Sequence, residues 1–176
     1  MNITFKPLSE SHFPLLLRWL EMPHLKAWWD SEIQWTPELI HQKYATYVKG
    51  FKIEDGDPKS IHAFIICMDE QPIGYIQIYN AYDCKRASPL IDLPQSLAAF
   101  DFFIGEPAQL GRGLGSQALT AFFDFFDAHK KYDYVFADPD TKNIAAIKTY
   151  EKAGLKKIEQ HPDIHKVWML GSFLKK

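Results

Sequence analysis

Residues 98–116 read Ala98-Ala99-Phe100-Asp101-Phe102-Phe103-Ile104-Gly105-Glu106-Pro107-Ala108-Gln109-Leu110-Gly111-Arg112-Gly113-Leu114-Gly115-Ser116. Ala98 to Ile104 is an apolar run of strand length, and Gly105-Glu106-Pro107 is a turn behind it. From Leu110 the glycines alternate, and a helix follows that buries Leu114, Ala118, Phe122, Phe125 and Phe126 and runs to about His129. A strand, a glycine-rich loop and a helix start, in that order, present unpaired backbone N–H groups at the positive end of a helix dipole. Such a loop binds pyrophosphate, with Arg112 available to add charge. No Gly-Lys-Ser/Thr closes it, so it is not a Walker loop, and it lies too far along the chain for the dinucleotide fingerprint. Taken alone, it is equally a glycine turn leading into a helix.

Downstream, Tyr132 to Ala137 reads as a strand that Asp138-Pro139-Asp140 breaks, and Asn143 to Ala153 as a helix closed by Gly154. Asn143 and Tyr150 are seven residues apart, about two helical turns, so they project from one face and can hydrogen-bond a ligand beside a sheet. An Asn near a helix start and a half-buried Tyr is the plain alternative. Two strands with a turn near His161-Pro162-Asp163 complete the tail.

Upstream, Ile3 to Lys6 alternates as a strand, and Ser9 or Ser11 caps a helix carrying Phe13, Leu16, Leu17 and Leu20 that Pro23 stops. A second helix starts at Thr36-Pro37-Glu38 and ends at Gly50. Asp55-Gly56-Asp57-Pro58 is a turn, and Ile61–Met68 and Ile73–Tyr79 form a hairpin with a longer loop. Residues 80–97 have no clean period and contain Pro89 and Pro94, which suits a functional loop. Alternating strands and helices with hairpins at both ends predict an α/β fold with one mixed sheet, in a single domain over residues 1–176.

Composition narrows the function classes. The 176 residues carry 20 Lys+Arg against 22 Asp+Glu, a formal charge of −2, which gives no electrostatic case for nucleic acid or an anionic membrane. The 15% of aromatic residues, with five Trp, suits a large core or an aromatic-lined pocket. Cys67 and Cys84 are too few for a disulfide scaffold or a four-thiolate metal site. With no basic start followed by an apolar run, the expected location is cytoplasmic. The seven histidines (His12, His24, His41, His62, His129, His161 and His165) show no metal spacing, so no metal is expected.

The glycine-rich loop, followed about thirty residues later by a strand and Asn143-x6-Tyr150-Glu151-Lys152-x-Gly154-Leu155, resembles the GNAT superfamily of acyl-CoA-dependent N-acyltransferases. The resemblance covers about residues 61–160 well and the rest in outline. One departure is Leu110 where the family loop opens with Arg or Gln, Gln109 standing one place early. The resemblance implies a mostly antiparallel, twisted sheet flanked by helices. It also implies acetyl-CoA as acyl donor, held by Ile104, Gln109, Leu110, Gly111, Arg112, Gly113, Leu114, Gly115, Ser116, Asn143 and Tyr150.

Within that superfamily the sequence is most similar to the aminoglycoside 6′-N-acetyltransferases, a class linked to antibiotic resistance. The similarity rests on Pro23-His24-Leu25-Lys26-Ala27-Trp28-Trp29-Asp30-Ser31-Glu32, on Pro72-Ile73-Gly74-Tyr75-Ile76-Gln77, on Asp101 eight residues before Gln109, and on Asp138-Pro139. It implies that Asp101 sits at the reaction centre and that Trp28, Trp29 and Asp138 line the acceptor pocket. Hydroxylamine acyltransferases of siderophore pathways share this framework but commonly place His where Asp101 stands.

The chemistry then needs a base, an oxyanion donor and a proton for the leaving thiolate. Asp101 is the candidate base, directly or through water, and the resemblance makes Tyr150 the thiolate's proton donor. A backbone N–H on the Asp101–Ile104 strand is the oxyanion partner. Asp30, Glu32, Asp83, Asp101 and Asp138 can converge on a cationic small-molecule amine, with Trp28 and Trp29 as flat walls for sugar rings. Asp30, Glu32 and Asp83 read equally well as solvated surface charges. Acyltransfer to another amine (a siderophore hydroxylamine, a polyamine or a protein N-terminus) and a non-catalytic CoA-binding module are the alternatives. The tail strand and aromatic content permit a dimer without demanding one.

Overall fold

Two-residue turns set the register of the first half of the sheet. In the computed structural model, which describes residues 2–127 and 131–173, β1 (Ile3–Pro7) pairs antiparallel with β3 (Asp57–Met68), Ile3 opposite Met68 and Pro7 opposite Phe64. The helix end expected at His129 lies outside the described residues. Between these strands come α1 (Phe13–Leu20), α2 (Pro23–Lys26) and α3 (Pro37–Val48). α1 buries Phe13, Leu16, Trp19 and Leu20, one stripe at helical spacing. Pro23 both ends α1 and opens α2, because the first helical position needs no N–H donor. Thr36 caps α3, its Oγ1 accepting from Leu39 N at 3.3 Å.

A strand not foreseen from the sequence, β2 (Phe51–Glu54), pairs antiparallel with the start of β3. Asp55 and Gly56 both have positive φ, 52° and 86°, the conformation of a two-residue hairpin turn that Asp-Gly favours. β3 therefore begins at Asp57 rather than at Ile61. The loop to β4 (Gln71–Asn80) is also shorter than expected. Asp69 and Glu70 stand alone between the strands at φ 46° and 66°, and Asp69 Oδ1 accepts from Asn2 N at 2.8 Å.

The second half supplies β5 (Leu97–Ile104), α4 (Leu114–Asp127), β6 (Tyr134–Ala137), α5 (Ile144–Lys152), β7 (Lys156–His161) and β8 (Lys166–Ser172). The strand order is β1-β3-β4-β5-β6-β8-β7, with β2 on β3. β5 and β6 run parallel from Leu97 opposite Tyr134, while β6–β8 and β7–β8 are antiparallel. The result is an α/β fold with one mostly antiparallel sheet flanked by helices.

The chain forms two compact units. One is built from residues up to Gln77 together with Phe102–Gly111, the other from Ile78–Asp101 and the chain from Arg112 onward. The first is centred on Leu16, Trp19, Leu20, Tyr44, Ile65, Tyr75 and Phe103. There Gly105 N donates to Ile73 O at 2.8 Å, and the backbone runs so close to Trp19 that a Cβ at Gly105 would sit 2.2 Å from the indole. Gly105→Ala is therefore expected to destabilise the protein by about 1–3 kcal/mol, as overpacking does, read as a lower urea midpoint at unchanged m-value. An unchanged midpoint would contradict this packing. The second unit is centred on Phe100, Phe122, Phe126, Phe136, Ile147, Leu155 and Trp168, all buried.

Candidate active site

The glycine-rich loop has the backbone its sequence suggests. Gly111 and Gly113 adopt φ 72° and 73°, flanking an exposed Arg112, and α4 begins at the next residue, Leu114. A Cβ at Gly111 would meet nothing within 4 Å, so the loop is open above its backbone. No acidic residue lies in the first turn of α4, and Ser116 Oγ donates to Gly113 O at 3.0 Å. Alternating left-handed residues ahead of a helix N-terminus turn successive N–H groups to one side, a geometry that suits a diphosphate. Leu110 is exposed and Gln109 half-buried in the turn before the loop, where Leu110 N donates to Pro107 O at 3.1 Å.

In the second unit, five polar side chains form one electrostatic cluster. Tyr79, near the end of β4, donates its O–H to Asp101 Oδ2 at 2.9 Å. Asp138 follows directly on β6, and Arg86 Nη1 donates to its Oδ2 at 2.8 Å, with the guanidinium 5.0 Å from the Phe136 ring centroid. Tyr150, on α5, is buried with its ring edge-on to Phe100 at 5.2 Å. Burial pushes the Tyr150 phenol well up, and the carboxylates of Asp101 and Asp138 add to the shift. Burial, then Asp101, does the same to Tyr79. Burial also raises the Asp138 carboxyl; Arg86 works against this, and Asp101 reinforces it. Through these couplings Asp101, Asp138 and Tyr150 act on one another, with Tyr79 and Arg86 added to the expected set.

Both phenols keep their protons in the folded chain at a pH where an unfolded chain, with tyrosine near about 10, loses them. The native state then binds more protons than the unfolded one, so stability falls as pH rises past about 10. The urea midpoint is expected to drop steeply between about pH 9.5 and 11, and less steeply in Tyr79→Phe and Tyr150→Phe. Equal slopes in all three proteins would contradict the assignment.

The other expected residues have contacts of their own. Asn143 caps α5, its Oδ1 accepting from Ala146 N at 3.1 Å. Asp83 is half-buried in the turn Ala81–Asp83, and the group it acts on is Tyr132, raised by burial and then by Asp83. In the first unit, Trp28 is 51% exposed, while Trp29 is half-buried and edge-on to Phe103 at 4.9 Å. Asp30, at φ 47°, pairs with Lys43 Nζ at 2.7 Å, and Glu32 is exposed. His24 Nε2 lies 3.1 Å from Ile104 O, which ties α2 to the end of β5. Glu106 accepts from Trp19 Nε1 at 2.9 Å and pairs with Arg18.

Tyr79 and Arg86 escaped the sequence reading. Tyr79 could have been found as the strand residue continuing the Tyr75, Gln77 alternation; Arg86 lies in the aperiodic loop, where spacing carries no signal. Cys67 is buried in the first unit's core, and burial pushes its thiol up. Among the described residues no three His, Cys, Asp or Glu side chains group as a metal site, and no helix is long and apolar enough to cross a membrane.

A phosphate-type loop ahead of α4 and a buried tyrosine coupled to a strand aspartate define a class that comparison with known proteins settles. Residues 9–162 match the acetyltransferase (GNAT) domain family, and the chain belongs to that family. It is 25% identical over 158 residues to an aminoglycoside N(6′)-acetyltransferase type 1 of Klebsiella pneumoniae, covering 89% of this chain and 75% of the relative. The corresponding enzyme of Serratia marcescens matches to the same extent. Among solved structures, AAC(6′)-Ib in complex with ribostamycin and coenzyme A superposes with a TM-score of 0.83 at 24% identity, over 98% of this chain and 94% of that one. The aminoglycoside N(6′)-acetyltransferase of Legionella pneumophila superposes at 0.68 and 20% identity, covering 98% and 94%. At these identities the structures share the fold.

Proposed function

We propose that the protein is an acetyl-CoA-dependent N-acetyltransferase that modifies a primary amine of an aminoglycoside-class acceptor by direct attack. The observation that carries this reading is the buried Tyr150 phenol, raised by burial and by the charges of Asp101 and Asp138. Family membership and the acceptors named for the 25%-identical relatives support the same reading.

Acetyl-CoA supplies the thioester, and its diphosphate suits the Gly111–Gly113 loop, with Arg112, Leu114, Gly115 and Ser116 leading into the helix. Asp101, oriented by Tyr79, attracts the ammonium group and takes its proton, directly or through a water, so that a neutral amine attacks. As the N–C bond forms and the C–S bond breaks, a backbone N–H of the Asp101–Ile104 strand stabilises the oxyanion. Tyr150 donates a hydrogen bond to the departing sulfur, and the second proton that the nitrogen sheds as the amide forms ends on that sulfur, giving the CoA thiol. With its phenol raised, Tyr150 is a stronger keeper of its proton than free tyrosine, so its contribution is a hydrogen bond that strengthens as charge builds on sulfur. No enzyme nucleophile is needed, and Cys67 and Cys84 take no part. A reaction of this kind belongs in the cytoplasm, with neither nucleic acid nor membrane as partner.

The test is free-thiol release from acetyl-CoA with kanamycin-, tobramycin- and ribostamycin-type aminoglycosides, spermidine, an N-hydroxylated lysine and a basic peptide. Release with the aminoglycosides that bear a 6′-amine is expected. Release with another acceptor alone would overturn the acceptor class, and no release with any would overturn the reaction.

A further inference from the structure

We infer that Arg86 is a positioning residue that lets Asp101 and Asp138 meet a polycationic acceptor as two charged carboxylates side by side. This rests on the N-acetyltransferase reading above and deepens it, by naming what keeps both carboxylates ready for the acceptor's ammonium groups.

The sheet brings the two carboxylates together. β5 and β6 run parallel, with Leu97 opposite Tyr134 and Ala99 opposite Phe136. Followed two residues past the last pair, the same register brings Asp101 level with Asp138. Paired strands lie about 4.8 Å apart. Like charges this close cannot both persist in a partly buried site without a cation beside them.

Arg86 is that cation. Its Nη1 donates to Asp138 Oδ2 at 2.8 Å, and its guanidinium is held 5.0 Å from the Phe136 ring centroid. The Arg86 side chain is 11% exposed against 30% for Asp138, so it backs the carboxylate and leaves Asp138 the more open of the two. The bond engages Oδ2, and Oδ1 is what an acceptor ammonium meets. A guanidinium also keeps its charge when buried, where a lysine ammonium sheds it. Burial raises the Asp138 carboxyl; Arg86 is the largest effect against that rise, ahead of Lys166, while the Asp101 charge reinforces it. The other titratable groups around the pair are Tyr79 on β4, Tyr150 on α5 and Cys84 beside Tyr79. Burial and then the neighbouring carboxylates hold both phenols neutral, so Tyr79 orients Asp101 without cancelling its charge. Without the guanidinium, Asp138 takes up a proton as pH falls and releases its ammonium.

Kanamycin binding to the full chain with coenzyme A, read by calorimetry, tests this. Dividing each variant's Kd by the wild-type value at the same pH cancels the titration of kanamycin's own amines. The Arg86→Gln ratio is expected to rise about tenfold from about pH 8 to about pH 6, because an opposite charge this near shifts a carboxyl by about 1–3 units. Arg86→Lys restores the charge and should hold the ratio within about threefold over that range. In an Asp138→Asn background, adding Arg86→Gln should bring no pH trend. An Arg86→Gln ratio that is flat with pH overturns the inference, whether affinity falls, as for a purely structural residue, or rises, as for one the acceptor displaces. So does a pH trend that survives in Asp138→Asn. If Arg86→Gln does not fold, Asp138→Asn and Arg86→Lys decide it at about pH 8. A loss of about tenfold in the first and under about threefold in the second is then expected, and any other result overturns the inference. The expected pH trend without thiol release upholds Arg86 and overturns the acetyl-transfer reading. Thiol release with a flat ratio does the reverse.

Discussion

Tyr150→Phe is expected to lower kcat about 10²- to 10³-fold while leaving acetyl-CoA binding within about threefold of wild type. The substitution removes one oxygen. The ring stays edge-on to Phe100 in a buried site, so the packing that places α5 is kept. What is lost is a donor that burial and two neighbouring carboxylates hold protonated throughout the neutral range. Such a donor stabilises charge only as the C–S bond breaks, so its loss falls on kcat rather than on ground-state binding. Single-turnover thiol release in the Tyr150→Phe protein measures this step directly. A kcat within about threefold of wild type would remove Tyr150 from the chemistry.

Asp101→Asn is the second large effect, a fall of about 10²- to 10³-fold in kcat/KM. Asn has the shape of Asp, and its amide oxygen can still accept from Tyr79, so the strand is preserved while the charge and the proton acceptor are removed. Both the attraction of an ammonium group and its deprotonation then fail together. Tyr79→Phe serves as the control: it releases one carboxylate oxygen from its donor and is expected to lower kcat/KM about tenfold or less, since it orients Asp101 without replacing it. Equal losses in Asp101→Asn and Tyr79→Phe would make the phenol, and not the carboxylate, the essential group.

The parts of this molecule that were legible in its sequence are those written in short-range chemistry. Gly111 and Gly113 announced a loop leading into a helix, and α4 starts directly behind them, both glycines taking left-handed backbone. Thr36-Pro37 announced a capped helix, and Thr36 caps it. Asp101, a carboxylate in an otherwise apolar strand, stood out because such a group needs a partner, which Tyr79 supplies. The failures are equally physical. β2 has four residues, and its hairpin turn was legible only from the Asp55-Gly56 pair, which also reads as an ordinary loop. Asp69-Glu70 closes a hairpin with two non-glycine residues in the left-handed region, for which no strong residue signal exists. Arg86 meets Asp138 across 52 positions of sequence, so no local pattern could join them.

The central claim is that acetyl transfer takes place in one step between two bound substrates at the Asp101–Tyr150 cluster, without an acetylated enzyme. Initial velocities measured while acetyl-CoA and the acceptor amine are varied together test it most directly. Intersecting double-reciprocal lines are predicted, because both substrates must be present before the N–C bond forms. Parallel lines, the mark of a covalent acetyl-enzyme, would contradict the account and turn attention to a nucleophile such as Cys84.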